Sequence, residues 1–392
     1  MPETVPGRAT VITDGVSPAG TDVDGWHMMR WEAKSVRADM VAQQLLDLRQ
    51  AATDEEGAPV TRASVMNLIV YAPVADVARQ AIESVDQLAM RHPSRVIVVA
   101  PTRGRDFKLD AEVILNRYPL SGHHLVFERA VLRPHGGAPE GTDTLVIPLL
   151  IPHLQSVLWW LGLPDPSEPA LKSLSQICDR LIVDTNRGDP QLFSALAGLC
   201  ANPDGRSRLV LGDMAWTRLD GFREVLAAVF DEPRRSGYLD GVERIEITGT
   251  RPARGEVSVA ELLFAGWLSS RLGCSQPEKT RAGVTLASGA TGRRVEVVFA
   301  GRAESASAAP LQGVRLAARS GRKELQVDLV QHHGEGHLEL REAGHQLMRR
   351  TVPLPTPEES EVLSRELARM GRDRVFEDAL LSAARIAAAR EA

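Results

Sequence analysis

Between residues 144 and 185 the chain reads TLVIPLLIPHLQSVLWWLGLPDPSEPALKSLSQICDRLIVDT, and no other stretch limits the possible folds as tightly. Three short apolar runs, at 145–150, 157–161 and 181–183, are separated by polar connections that carry Pro. Runs this short, without apolar/polar alternation, suit strands covered on both faces. Between the last two, Leu171, Leu174, Ile177 and Cys178 recur at helical spacing, which predicts strand–helix–strand. Such a crossover joins parallel strands with a right-handed connection. The expected fold class is therefore α/β, a largely parallel sheet flanked by helices.

The same pattern recurs upstream. The run VMNLIVYA ends at Pro73 and reads as a strand; Val74, Val77, Ala78, Ile82, Val85 and Leu88 then mark an amphipathic helix. That helix stops at His92-Pro93, where Pro disfavours helical backbone in the residue before it, and VIVVA at 96–100 is the next strand. Two extended pieces at 111–118 and 124–132 predict a hairpin turning at Ser121-Gly122. Before all of these, Val36, Met40, Val41, Leu45 and Leu48 predict a helix that follows Trp26 and Trp31. The first residues are rich in Pro, Gly, Thr and Asp and lack a basic or apolar leader segment, so they read as a loosely ordered tail and not a signal peptide.

Downstream, a helix from Asp189-Pro190 to Cys200, a strand at 208–211, a helix at 219–230, a strand at 242–248 and a helix at 257–272 continue the alternation. The texture changes at 274–282. From there short strands at 283–287, 295–300, 314–318, 325–330, 337–341 and 346–352 predict an antiparallel meander, closed by helices at 358–369 and 373–389. The expected organisation is a flexible N-terminal tail at 1–29, an α/β domain at 30–275 and a smaller α+β C-terminal domain at 276–392. A break at 162–170, in GLPDPSEPA, is the alternative.

Charge and motif content narrow the function. A net charge of -5 without a basic tract argues against a nucleic-acid partner. Three cysteines, Cys178, Cys200 and Cys274, are widely spaced without CxxC, which argues against a disulfide framework or structural zinc and fits a reducing cytoplasm. No apolar run approaches the ~18 residues a membrane span needs. GxxxxGK[ST], GxSxG, HExxH and a GxGxxG following a strand do not occur. The Gly-rich run at 136–141 precedes a strand, the wrong element for holding a pyrophosphate. No catalytic residue, cofactor site or metal site is therefore assigned.

The remaining candidates have a structural and a functional reading each. His332-His333-Gly334-Glu335-Gly336-His337 is a hairpin tip with Gly-Glu-Gly as its turn, or a metal site; His123-His124 is weighed in the same way. His92 and Arg95 sit at a helix-to-strand corner, either ending the helix or offering a surface to an anion or partner. Trp159 and Trp160 must face opposite sides of a strand, as core if both sides are covered and as an interface anchor if one is not. Trp216 and Arg218, on a turn before a helix, read as a contact surface or as core. Arg180 and Asp184 bracket a strand, and an Asp at the C-terminal edge of a parallel strand faces a site or caps a loop.

In this order, six segments resemble the glucose-6-phosphate dehydrogenase assembly protein family, OpcA: MNLIV at 66–70, HPSR at 92–95, IPLLIPHLQSVLWWLG at 147–162, DRLIVD at 179–184, DMAWTR at 213–218 and GRDRVFEDAL at 371–380. The resemblance spans residues 60–385. It implies a non-enzymatic partner of glucose-6-phosphate dehydrogenase that promotes the enzyme's active oligomer and its affinity for sugar phosphate, and so regulates NADPH supply through the oxidative pentose phosphate pathway. His92, Arg95, Trp159, Trp160, Arg180, Trp216 and Arg218 are then the expected partner interface. Thioredoxin control is linked to cysteines in some photosynthetic members, but Cys178, Cys200 and Cys274 do not match a regulatory set. The competing expectation is an α/β enzyme or a binder of sugar phosphate or nucleotide, with a cleft near Asp184 and His92.

Overall fold

The computed structural model describes residues 8–13, 27–54, 60–62, 64–120, 123–136, 141–188, 190–200, 209–251, 257–288, 292–303, 309, 311–369 and 371–391. Its residues gather into two compact units between which the chain passes more than once. The first comprises Met1–Val183, Asn202–Gly212 and Glu359–Met370, and the second Asp184–Ala201, Asp213–Glu358 and Gly371–Ala392.

The first unit opens with β1 (Arg8–Thr13), β2 (His27–Ala33) and α1 (Ala38–Asp54), followed by β3 (Val60–Arg62), β4 (Met66–Tyr71), α2 (Ala75–Leu88) and β5 (Ser94–Val99). Next come the long hairpin β6 (Lys108–Leu120) and β7 (His123–His135), then α3 (Thr142–Val146), β8 (Gln155–Trp160), α4 (Pro169–Ile177) and β9 (Arg180–Val183). These strands lie in the order β1-β2-β6-β7-β5-β4-β8-β9, with β3 beside β7. β4 pairs in parallel with β5 and β8, β5 with β7, and β8 with β9. The run MNLIVY in β4 is buried at every position, as a strand covered on both faces requires.

The second unit contains α5 (Leu192–Cys200), and the next strand, β10 (Val210–Asp213), extends the first sheet beside β9. After it come α6 (Met214–Thr217), α7 (Asp220–Asp231), α8 (Pro233–Ser236), β11 (Val242–Arg251) and α9 (Val259–Arg271). Then follow β12 (Gln276–Lys279), β13 (Gly283–Ala287), β14 (Arg294–Phe299), β15 (Arg302–Ala303), β16 (Leu311–Ser320), β17 (Lys323–His332), β18 (Glu335–Glu342) and β19 (His345–Pro353). The chain ends in α10 (Glu359–Ala368), which belongs to the first unit, and α11 (Arg374–Glu391), which belongs to the second. The second sheet runs β12-β13-β14-β11-β16-β17-β18-β19 and is antiparallel except where β11 meets β14 and β15. Leu316, Val327, Leu329 and Leu340 are buried, whereas Arg315, Gln326 and Arg341 are exposed, the period-2 alternation of a sheet with one solvated face.

The expected fold class is therefore present: a mainly parallel sheet flanked by helices and a second, mainly antiparallel sheet with C-terminal helices. Four details differ. β1 and the first three residues of β2 fall in the expected tail, and the two strands pair over six residues, a nonlocal pairing that composition does not show. The run at 145–150 is not a strand: α3 and a 3-10 turn, Ile147–Leu149, occupy it. Pro148 cannot donate to a ladder, and side chains satisfy the backbone instead. Arg95 donates to the Leu149 carbonyl at 2.9 Å, while Asn67 receives the Ile151 N–H at 2.9 Å and donates to the Ile151 carbonyl at 3.1 Å. Third, the units do not divide at 275, because β11 finds its partners in β14 and β16, far downstream. Fourth, the two C-terminal helices separate into different units.

One helix contact leaves no room for a side chain. A Cβ on Gly266 of α9 would lie 2.3 Å from the Ala379 carbonyl oxygen and 2.7 Å from the Ala383 nitrogen of α11. Both obstacles are backbone, so Gly266→Ala must move a helix and is expected to cost about 1–3 kcal/mol in urea denaturation. Gly198 of α5 meets nothing within 4 Å, so Gly198→Ala is the control, neutral or stabilising by up to about 1 kcal/mol.

Candidate functional site

The parallel strands β7-β5-β4-β8-β9, with β10 beyond, follow the order of a dinucleotide-binding sheet, in which ligands enter where the order reverses, at the C-terminal ends of the two central strands. Those strands are β4 and β8. Their last residues, Tyr71 and Trp160, stack face to face with centroids 4.0 Å apart and planes within 3°. Leu161 donates its N–H to the Tyr71 carbonyl at 3.0 Å, which carries the pairing one residue past β8. The Tyr71 hydroxyl donates to Glu168 at 3.2 Å, and the Trp160 indole donates to the Leu163 carbonyl at 3.3 Å. A Cβ on Gly162 would sit 3.5 Å from Pro73, so the following loop lies against the turn that leaves β4. Tyr71 and Trp160 are buried, and burial together with the Glu168 charge pushes the Tyr71 hydroxyl far above the ordinary phenol range. The turn into α2 is Pro73-Val74, and Val74 provides no side-chain cap. Protein side chains therefore occupy the reversal point.

The opposite edge, where the parallel strands begin, holds three of the seven expected contact residues. Arg95 is buried and donates through Nε to Glu128 Oε2 at 2.7 Å, while Arg49 donates to Oε1 of the same carboxylate at 2.7 Å. Arg180 is also buried; its Nη2 lies 2.6 Å from Glu366 of α10, and its Nη1 donates to the Arg369 carbonyl at 2.8 Å. Glu366 holds Arg369 through its other oxygen at 2.7 Å. His92 is half-buried, with Nε2 2.8 Å from the Ser364 hydroxyl of α10, and Arg91 pairs with Glu361 at 3.1 Å. Burial and the Arg91 charge hold His92 below the ordinary imidazole value, against Glu361 and Ser364. His92 and Arg180 thus fasten α10 to the first unit.

In the second unit Trp216 is buried, its indole donating to Asp373 at 3.0 Å and its ring tilted against Phe376 with centroids 5.6 Å apart. The Arg223 guanidinium lies 3.3 Å from the centre of the same ring. Arg218 forms a two-pronged pair with Asp184, both bonds 2.8 Å. Asp213 is wholly buried and accepts from the Thr185 hydroxyl at 2.6 Å and from the Thr185 and Ala215 N–H groups. Burial pushes its carboxyl up to about 7, with the Asp184 charge adding to that and the three donors opposing it.

Five of the seven expected contact residues, Arg95, Trp159, Trp160, Arg180 and Trp216, are buried within the chain. Arg95, Trp160, Arg180 and Trp216 have carboxylate or carbonyl partners there, whereas the Trp159 indole N–H has no hydrogen-bond partner among the described residues. The six resembling segments largely contact one another: Asn67 of MNLIV and Arg95 of HPSR hold the Ile151 and Leu149 carbonyls of IPLLIPHLQSVLWWLG, Arg218 of DMAWTR holds Asp184 of DRLIVD, and Trp216 meets Asp373 and Phe376 of GRDRVFEDAL. Glu366, on a helix, and Glu168, just before one, were missed by sequence reasoning and carried no signal beyond their charge. His92 precedes β5, where the parallel strands begin, and Asp184 follows the last residue of β9.

The hairpin tip turns at His333-Gly334, not Gly-Glu-Gly, with φ of 50° and 85°, the left-handed pair a tight hairpin needs. Among the described residues no three His, Cys, Asp or Glu side chains gather as a metal site. The side chains of His123, His124 and Cys200 lie outside the described residues, as do residues 137–140 of the Gly-rich run. Cys178 and Cys274 are buried thiols, and burial pushes Cys178 up to about 12, far from thiolate chemistry.

Two family descriptions match the chain. Residues 85–198 match the glucose-6-phosphate dehydrogenase subunit N-terminal domain of OpcA and residues 210–380 its C-terminal domain. The chain belongs to the OpcA family. A protein named OpcA, for the OxPP cycle, from Nostoc punctiforme is 32% identical over 193 residues, 48% of this chain and 39% of that one. Its namesake from Synechococcus elongatus is 28% identical over 193 residues, 47% of this chain and 41% of that one. The matched stretch thus spans less than half the length of these OpcA relatives. An NAD binding oxidoreductase from Klebsiella pneumoniae overlays 83% of this chain and 97% of its own at 10% identity and a TM-score of 0.46, too loose a likeness to carry chemistry.

Proposed function

We propose that this chain is an assembly factor of glucose-6-phosphate dehydrogenase in the cytoplasm, which docks on the enzyme, favours its active oligomer and raises its affinity for sugar phosphate without doing chemistry itself. NADPH supply through the oxidative pentose phosphate pathway is then its physiological output. Family membership supports the choice of partner. The observation that carries the non-enzymatic part is the stacked Tyr71–Trp160 pair, which fills the reversal point of the parallel sheet with hydrogen-bonded side chains. The polar residues that first suggested chemistry are spent in the same way on internal pairs.

An activator needs only to bind the active state of its partner better than the inactive one, and about 1–3 kcal/mol of coupling shifts affinity roughly 5–150-fold. Docking of this kind requires about 800 Å² on each partner and no reactive group. Mixing the purified chain with the dehydrogenase of the same organism is expected to give a heavier species in sedimentation. The half-saturating sugar phosphate concentration should fall by about fivefold or more. Unchanged sedimentation together with unchanged kinetics would remove the proposal.

A further inference from the structure

The loop that follows β5, residues 101–107, is exposed yet firmly built. Thr102 donates its N–H to the Pro134 carbonyl at 2.8 Å, and its hydroxyl lies 2.9 Å from His135 Nδ1. His135 Nε2 in turn lies 2.9 Å from Asp110, so a chain of side chains ties the loop to the end of β7. Gly104 packs so closely on Gly136 that a Cβ would sit 2.7 Å from the Gly136 nitrogen. On either side of that fixed glycine, Arg103 and Arg105 stand exposed, and neither has an ion pair or hydrogen bond among the described residues. Phe107 is 53% exposed and Lys108 follows it, while Asp106 is the one acid in the segment. In a chain with a net charge of -5, such a pinned loop of net positive charge is out of character.

Its position gives it a meaning. β5 stands next to the first strand of the reversal point, the place of the second strand in a dinucleotide-binding sheet. The end of that strand is where the adenosine ribose is read, by an acid for a free 2′-hydroxyl or by Arg for a 2′-phosphate. Guanidinium groups match phosphate oxygens in geometry and charge, and an exposed aromatic ring accepts a base by stacking. From this placement we infer that the loop binds the phosphate monoester of a 2′-phosphorylated adenosine nucleotide, the NADP(H) class, through Arg103 and Arg105, with Phe107 against the base. The Tyr71–Trp160 plug and the Pro73-Val74 turn remove the pyrophosphate grip, so the 2′-phosphoadenosine end alone carries recognition. This site does not depend on the proposed dehydrogenase partnership. It would let the chain sense the phosphorylated nucleotide directly.

The test is calorimetric titration of the purified full chain with adenosine 2′,5′-bisphosphate, 5′-AMP, inorganic phosphate and glucose 6-phosphate as separate probes. The bisphosphate is expected to bind about tenfold or more tighter than 5′-AMP and than either of the other two. Arg103→Ala with Arg105→Ala should level the two nucleotides at unchanged Tm, and Phe107→Ala should weaken both nucleotides without changing their ratio. No binding of the bisphosphate, equal binding of the two nucleotides, or discrimination that survives the double variant would overturn the inference. Inorganic phosphate or glucose 6-phosphate matching the bisphosphate would overturn it too, since the loop would then be a bare anion site.

Discussion

Glu366→Ala is expected to lower the free energy of unfolding by about 3–5 kcal/mol, the cost of leaving a buried guanidinium without its carboxylate. Arg180 is 2% exposed and Glu366 1%, so water cannot take over the lost contact. The carboxylate is shared: one oxygen lies 2.6 Å from Arg180 and the other 2.7 Å from Arg369. Space around the pair is closed as well, since a Cβ on Gly212 would lie 2.2 Å from Glu366 Oε2 and 2.7 Å from Arg180 Nη2. Urea denaturation of the purified variant checks the loss. Replacing both partners with apolar residues, Arg180→Met with Glu366→Leu, should recover most of it, because no charge is then stranded. If the single and double variants lose the same amount, packing of α10 and not the charge pair carries the stability.

Trp216→Ala should cost a similar amount, about 3–5 kcal/mol, by opening a cavity in the second unit. The ring is 1% exposed, packed under Arg223 and against Phe376. Its indole N–H also holds Asp373, whose other oxygen accepts the Phe376 N–H at 2.9 Å and so caps the start of α11. Trp216→Phe keeps most of the buried area but gives up that hydrogen bond, for about 1–2 kcal/mol. Thermal denaturation followed through the signal of α11 separates the two effects. A small loss with Trp216→Ala would mean that the site collapses around the cavity, and would revive a contact role for this segment.

Much of the fold was legible because it rests on short-range pattern. MNLIVY and VIVV read as strands and are buried throughout, and of the helical positions read between them Ala78, Val85 and Leu88 are buried. The run at 145–150 misled because a short apolar run fits a strand or a buried turn equally, and Asn67 and Arg95, distant in sequence, decide it by capturing its backbone. Several of the candidate contact residues have internal partners far away in sequence. A polar or aromatic residue in a strand corner signals either a ligand or an internal partner, and the partners, Glu128, Glu366 and Asp373, lie 33, 186 and 157 residues away.

The sequence alone determined the fold class, most element positions and the family, since periodicity, turn residues and ordered motifs are properties of near neighbours along the chain. Tertiary structure decided which sheet β11 joins, where α10 and α11 go, and that the reversal point is filled by Tyr71 and Trp160. Those outcomes depend on which distant side chains and strand edges satisfy one another once buried, and the free energy of that choice is set by desolvation and packing that no local pattern encodes.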